Sequence, residues 1–278
     1  MNMVKFTIIT PCFNAEEFIE ETIQSVLNQS ALRKGMCTLE YIIVDGKSSD
    51  KTLERIRDIT GLHPAVTVIS EKDAGMYDAL AKGIMRGSGD IYGYLNAGDY
   101  YSPHAFEILL ELFEKEKVSW ITGFHVSYNS KSYLVWCDLP FRYRKRFFSC
   151  GYYNAKKLPF VMQEATFWRK KLNSLVDLQR LSRFKLAGDY YLWHQFSGAE
   201  DLKIVSAYLG GFKVHQGQLS QNIVNYYKEM DSIVSKPSLF DLALYYFDII
   251  IWKMPFKIKK FFNQEGLFYY DHKDERFK

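Results

Sequence analysis

The chain predicts an α/β fold built on a mostly parallel, doubly wound sheet flanked by helices. Three features carry that expectation. Apolar runs of strand length alternate with segments of helical periodicity through the first 113 residues. Several of these runs stop at proline, aspartate, serine or asparagine, as strands do where they leave a sheet. At 278 residues, with 47% hydrophobic and 24% charged side chains, the chain is long and apolar enough for a substantial core, and disorder is excluded.

Phe6-Thr7-Ile8-Ile9-Thr10 reads as a buried strand stopped by Pro11, and Ala15 to Gln29 as a helix with Phe18, Ile19, Ile23, Val26 and Leu27 at helical spacing. Tyr41-Ile42-Ile43-Val44 repeats the strand and ends at Asp45-Gly46-Lys47-Ser48-Ser49-Asp50. Leu53, Ile56 and Ile59 then mark a second helix, capped by Ser49 or Asp50. Val66 to Ser70 is a third strand, Ala74 to Met85 a third helix and Ile91 to Leu95 a fourth strand. Loops that follow the strands of such a sheet gather along one edge, where ligands bind.

Beyond about Phe113 the regular alternation ends. Trp120 to Val126, Tyr133 to Cys137, Glu164 to Arg169 and Ile204 to Tyr208 read as strands, Phe141 to Phe148 as a loop or short helix, and Asp189 to Phe196 as a helix. From Asn222 onward the chain is expected to be helical, with breaks at Pro237 and Pro255. This divides it into residues 1–113, a nucleotide-binding half, residues 114–221, an acceptor and catalytic half of the same domain, and residues 222–278, a basic and aromatic helical extension.

A 17% aromatic content calls for surfaces or pockets that use rings. The net charge of +4 is too small for this length to indicate a nucleic-acid partner. Its distribution says more, with one cluster at Arg142, Arg144, Lys145 and Arg146 and another at Lys253, Lys257, Lys259 and Lys260. Cys12, Cys37, Cys137 and Cys150 have neither C-x-x-C spacing nor the density of a disulfide scaffold, which fits a reduced cytoplasmic setting. Met1 to Lys5 leads directly into a strand pattern with no apolar run of the signal-peptide kind, so no signal peptide is expected. Leu239 to Trp252 contains Asp241 and Asp248 and is too short to span a bilayer comfortably.

The most informative stretch is Gly89 to Pro103, where an apolar strand runs into Asn96-Ala97-Gly98-Asp99. Alone, this is either an ordinary turn or an oxygen-rich site at a strand end. Other segments weigh on the choice: Thr7 to Asn14, Ile43 to Thr52, Ser70 to Ala79, Gln163 to Arg169, Ala187 to Trp193 and Gly210 to His215, in that order and at suitable intervals. Together with Leu95 to Asp99 they resemble the inverting, nucleotide-sugar-dependent family 2 glycosyltransferases of the GT-A fold, over roughly the first four fifths of the chain. The branch most similar serves bacterial cell-surface polysaccharide assembly, such as O-antigen, capsule or exopolysaccharide.

The resemblance implies roles. Thr10, Pro11, Asn14 and Asp45 would hold the base and ribose of a donor, expected to be a UDP-sugar, with the Asp45 carboxylate accepting from a uracil-like imide N–H or a ribose hydroxyl. Asp73 and Asp78 would lie beside them, Asp78 toward the donor sugar, with Lys72 approaching the diphosphate. Asp99 would be the main ligand of Mn2+ or Mg2+, supported by Asn96 and by His215. Relatives carry acids where this chain has Asn96 and Gly98, an amide where it has Ala81, and an acid where it has Gly188. Asp189 takes the position of the catalytic base, although a helix N-cap is a compatible role. Gln163, Glu164, Arg169, Trp168 and Trp193 are expected near the donor sugar or acceptor, the two tryptophans being either stacking platforms or core.

The resulting expectation is a metal-dependent hexosyltransferase acting on a saccharide acceptor carried on a lipid. The opposing expectation is a nucleotide-binding or regulatory relative that has lost catalysis. A nucleotidyltransferase is disfavoured, since Pro11-Cys12-Phe13-Asn14 is not a glycine-rich phosphate loop. The basic, aromatic tail from Leu239 to Phe262 suits a peripheral position on the inner face of the cytoplasmic membrane, and equally a helix packed on the domain or on a second copy in a homodimer.

Overall fold

A computed structural model describes residues 3–215 and 217–278. Its main sheet has eight strands in the order β12-β10-β6-β9-β4-β1-β2-β3. These are β1 (Lys5–Cys12), β2 (Thr38–Asp45), β3 (Val66–Ser70), β4 (Ile91–Tyr94), β6 (Trp120–Thr122), β9 (Thr166–Arg169), β10 (Lys203–Val205) and β12 (Leu267–Phe268). Only β9 runs against its neighbours, pairing antiparallel with both β4 and β6. A second sheet, β5-β11-β7-β8, crosses the carboxyl side with β5 (Tyr100–Tyr101), β7 (His125–Tyr128), β8 (Leu134–Asp138) and β11 (Gly210–Lys213). A small hairpin, β13 (Tyr270–Asp271) with β14 (Arg276–Phe277), closes the chain.

The period-2 geometry of the central strands explains how one sheet supports two cores. Phe6, Ile8, Tyr41 and Ile43 face α1 (Ile19–Leu27), α3 (Thr52–Thr60) and α5 (Ala105–Phe113). Ile9, Ile42 and Val44 face α4 (Met76–Arg86), α6 (Lys145–Ser149) and α8 (Gly188–Ala199). Burial on both faces is why these runs read as continuously apolar. Two short helices, α2 (Ser30–Arg33) and α7 (Leu178–Leu181), and three in the tail, α9 (Ile223–Asp231), α10 (Leu239–Trp252) and α11 (Phe256–Phe262), complete the fold.

Several boundaries differ from expectation, each for a local reason. Trp120 to Val126 is two strands, β6 and β7, because the chain leaves the main sheet after Thr122 and enters the second at His125. Glu164 lies in a single turn of 3-10 helix, Gln163–Ala165, and the strand starts at Thr166. The first helix starts at Ile19, since Asn14 turns the chain with a left-handed φ of 46°. The tail returns to the main sheet, where Leu267 and Phe268 pair with Ile204 and Val205. Two residues carry too little pattern to be seen as a strand in the sequence.

The two aspartates of α10 face inward. Asp248 is 1% exposed and receives Arg144 through Nε and Nη2 at 2.6 and 2.7 Å. Asp241 closes a capping box with Ser238 and receives Arg146 Nε at 2.5 Å. The basic cluster of residues 142–146 is therefore partly the docking partner of α10. The outward face is left to Leu239, Phe240, Tyr246 and Ile250, all exposed. Lys253 and Lys257 are exposed too, whereas Lys259 turns in to the Leu139 carbonyl at 3.2 Å and Lys260 covers the Tyr269 ring. Among the described residues no helix is long and apolar enough to cross a membrane.

Candidate active site

The carboxyl ends of β1, β2 and β4, the second sheet and α9 enclose a cleft of about 1090 Å³. Ten of the residues singled out in the sequence line it: Pro11, Asn14, Lys72, Asp73, Asn96, Asp99, Gln163, Glu164, Asp189 and His215. Thr10, Asp45 and Asp78 stand behind this wall. Thr10 is buried against the Tyr41 hydroxyl at 2.9 Å. Asp78 receives the Ala74 amide at 2.9 Å and pairs with Lys82. Asp45 is fully buried and accepts from the Lys47 and Ser48 amides and the hydroxyls of Ser48 and Ser70, so its carboxylate shapes the loop rather than facing the cleft.

Asn14 ties the first two loops together. Its amide donates to Ser48 Oγ at 2.8 Å while its Oδ1 accepts from the Ser49 amide at 2.9 Å. Asp50 serves the same junction, accepting from the Thr52 and Glu16 amides; the residue preceding the helix is Lys51, which makes no side-chain cap. Asp73, on the cleft wall, has its carboxyl raised above the ordinary range by burial and by the charges of Asp78 and Asp45.

At the centre lies the Asn96–Asp99 loop. Gly98 adopts φ of 108°, a conformation that favours glycine, and a Cβ there would lie 3.5 Å from His215 Nε2. His215 stacks on Phe18 with centroids 4.2 Å apart. Asp99 is 2% exposed, with its two oxygens receiving the Lys213 amide at 3.0 Å and Gln163 Nε2 at 3.1 Å. Burial pushes its carboxyl up to about 7 against those two donors. Glu164, also buried, is pushed well above the ordinary range by burial and by the charge of Asp99.

Asn96 Oδ1, Gln163 Oε1 and Glu164 Oε1 are buried oxygens with no hydrogen-bond partner. Hard oxygen donors of this kind fit Mg2+ or Mn2+. Among the described residues no three His, Cys, Asp or Glu side chains form a ligand group. Asp99, Asn96 and His215 would thus hold a divalent ion only together with oxygens of a bound diphosphate.

Asp189 stands in the first turn of α8 and lines the cleft. The residue preceding the helix is Ala187, without a side-chain cap, so Asp189 is not the N-cap. Glu229 of α9 serves the helix start instead, accepting the amides of Lys185, Leu186 and Ala187 at 3.0, 2.9 and 2.9 Å. Tyr226 of the same helix donates to Asp189 Oδ1 at 3.2 Å. Burial raises the Asp189 carboxyl to about 6, while donors from Tyr190, Tyr226 and Tyr77 hold it from going higher. A side chain at Gly188, just before Asp189, would drive into the Tyr77 ring.

Three expectations are corrected. Arg169 lies at the far end of β9, beside Ile91, where it donates to the carbonyls of Val118 and Phe113, away from the cleft. Trp168 is fully buried, with Nε1 on Asn173 Oδ1 at 2.7 Å. Trp193 is 2% exposed and packs on Trp120, Trp168 and Phe196. Both tryptophans are core, since β9 and α8 turn them between sheet and helix. Cleft residues not singled out in the sequence include Phe18, His125, Trp136, Phe160 and Tyr226. Tyr226 lies in the tail, where no motif marks it.

A family model described as glycosyl transferase family 2 matches residues 7–175. The chain is 32% identical over 111 residues to chondroitin synthase of Pasteurella multocida (strain Pm70), a match covering 40% of this chain and 11% of that protein. With chondroitin synthase of Escherichia coli it shares 31% over 110 residues, covering 40% of this chain and 15% of that protein. The match thus spans a small part of the length of these relatives. S. aureus TarS 1-349 in complex with UDP-GlcNAc is similar in structure, with a TM-score of 0.58, 14% identity, and 92% of this chain and 69% of that chain covered. The mannosyltransferase PcManGT from Pyrobaculum calidifontis, in complex with GDP-Man and Mn2+, gives 0.59 at 18% identity over 89% of this chain and 70% of that chain. At these identities the structural likeness is one of fold, the GT-A fold.

Proposed function

The chain belongs to glycosyl transferase family 2, and from that membership we propose that it transfers a sugar, with inversion, from a nucleotide donor such as a UDP-sugar to a hydroxyl of a growing bacterial polysaccharide. The observation that carries the proposal is Asp189, a part-buried carboxylate raised to about 6 in the same cleft as the Asn96–Asp99 loop. A base poised near the working pH is suited to general base catalysis. Asp189 takes the proton of the acceptor hydroxyl. That oxygen forms a bond to the anomeric carbon from the face opposite the diphosphate, and the carbon–oxygen bond to the leaving nucleoside diphosphate breaks with its electron pair. Asn14, Lys72 and Asp73 bind and orient the nucleotide. A divalent ion, Mn2+ or Mg2+, would supply charge neutralisation for the diphosphate.

One observation favours a nucleotide-binding protein without transfer: both Asp99 oxygens already receive a donor. A panel of nucleotide sugars offered to the protein with Mn2+, with Mg2+ and with EDTA separates the two. Transfer abolished by EDTA, with product of inverted anomeric configuration by NMR, supports the proposal; nucleotide binding without transfer to any acceptor overturns it.

The tail supports a position at the membrane surface, facing a lipid-carried acceptor. The aspartates that interrupt α10 in the sequence turn inward, so its outer face is apolar and bordered by Lys253 and Lys257. Co-sedimentation with anionic but not neutral liposomes is expected. Equal absence from both would leave that face to a second copy of the chain.

A further inference from the structure

We propose that the end of the cleft lined by His125, Ser127 and Trp136 is the seat of the acceptor sugar, with one of its hydroxyls hydrogen-bonded to His125 Nδ1 and Trp136 packing against its ring. This rests on the transfer reaction proposed above and names the part of the site that takes the second substrate.

The hydrogen-bond chain at His125 uses one ring nitrogen and leaves the other. Nε2 lies 2.7 Å from the Tyr143 hydroxyl, whose oxygen is 3.3 Å from the Phe160 carbonyl. The hydroxyl either accepts from Nε2 or donates to it, and in both cases Nδ1 stands outside this chain. It is buried and has no partner. Burial also pushes the imidazole down to about 4, so the ring is neutral near pH 7. A buried polar atom without a partner destabilises the protein until one arrives, and a sugar hydroxyl, which can donate or accept, is such a partner.

Trp136 supplies the complementary surface. It stands on the edge strand β8, 45% exposed, with its ring 5.8 Å from that of His125, and both line the cleft. An exposed indole bordering a polar atom suits the C–H face of a pyranose.

Strand order places this seat beyond the reacting centre. Asp99 is bonded to β11 through the Lys213 amide, and the second sheet continues from β11 to β7 and then β8. His125 and Trp136 thus extend the cleft on the side of the second sheet, whereas Pro11, Asn14 and Asp73 come from the loops of the main sheet. The same end adjoins the tail: Trp252 Nε1 donates to Asp138 of β8 at 2.8 Å, and its ring is 6.5 Å from His125. A sugar seated here has its lipid carrier beside α10.

The test uses the full chain with saturating UDP and Mn2+, and methyl glycosides of glucose, galactose, N-acetylglucosamine and glucuronic acid, read by saturation-transfer NMR. At least one glycoside is expected to bind the parent. Its signal should fall about fivefold or more in Trp136→Ala and His125→Phe, return in part in Trp136→Phe, and leave UDP affinity within about twofold. Trp136 is exposed, so its variants test the seat even where His125→Phe fails to fold. Unchanged glycoside binding in Trp136→Ala, or no glycoside binding by the parent, would overturn the proposal. Glycoside binding that depends on Trp136 in a protein that does not bind UDP would support the seat and overturn the nucleotide-donor assignment, so the two fail separately.

Discussion

In the loops after β1 and β2 the polar side chains answer one another, whereas across the cleft several are left without partners. Asn14, Ser48, Ser49, Asp45 and Ser70 form a closed set of hydrogen bonds before any ligand arrives. Tyr94 Oη, Asn96 Oδ1, Gln163 Oε1, Glu164 Oε1 and His125 Nδ1 are buried without a partner, and all five residues line the cleft. The end proposed for the nucleotide is thus held in shape by the protein itself, while the end proposed for the reaction keeps buried polar atoms without partners. Variants at the two ends should therefore fail in different ways.

The largest effect is expected at Asp99. Asp99→Ala should reduce transfer to background while far-UV circular dichroism stays that of the parent, because Asp99 lines the cleft where the reaction is proposed and belongs to neither hydrophobic core. Transfer at the parental rate would remove Asp99 from the site.

Asp189→Asn comes next and sharpens the contrast directly. The amide keeps the size of the side chain and loses its basicity, so kcat should fall by about two to four orders of magnitude with nucleotide affinity unchanged. Asn14→Ala, at the other end, should do the reverse. It loses the bond to the Ser49 amide, and alanine is strained at the φ of 46°, so UDP binding should weaken by about tenfold at similar kcat. Calorimetry with UDP beside steady-state kinetics checks both. Matching losses in the two variants would mean that the ends do not work separately.

The pH dependence has a smaller and more specific signature. Asp189 must be ionised to accept a proton, and its carboxyl is raised from 3.8 to about 6. Activity should therefore be full above about pH 7 and fall about tenfold per unit below pH 6. An acid limb near pH 4 would show that the base is an ordinary exposed carboxylate instead.

What was legible in the sequence follows the same division. β1, β2 and β4 are buried on both faces, and the loops after them carry short motifs, so both element and site could be read there. Asp45 shows the limit, since a strand-end aspartate reads alike whether it meets a ligand or its own loop. Trp168 and Trp193 show another, because core and sugar platform use the same residue and only burial separates them. Asp241 and Asp248 seemed to interrupt an apolar face; their pairing with Arg146 and Arg144, about a hundred residues away, has no local signal. His125, Trp136 and Tyr226 were missed for the same reason, as strands and helices distant in sequence bring them to the cleft.

Tyr226 offers the smallest effect and the finest test of how the reacting end is tuned. Its hydroxyl donates to Asp189 Oδ1 at 3.2 Å, and a donor to a carboxylate favours the ionised form. Tyr226→Phe keeps the ring that packs edge-on against Phe160 at 5.3 Å and deletes only the hydroxyl. Asp189 should then ionise at higher pH, moving the acid limb of the rate profile upward by about half a unit to one unit. At pH 8 the variant should match the parent, and at pH 6 it should be several-fold slower. A structural role alone would lower the rate equally at both values. An unmoved limb with a uniform loss would make α9 a packing element and leave Asp189 to be tuned by burial, the Tyr190 amide and Tyr77.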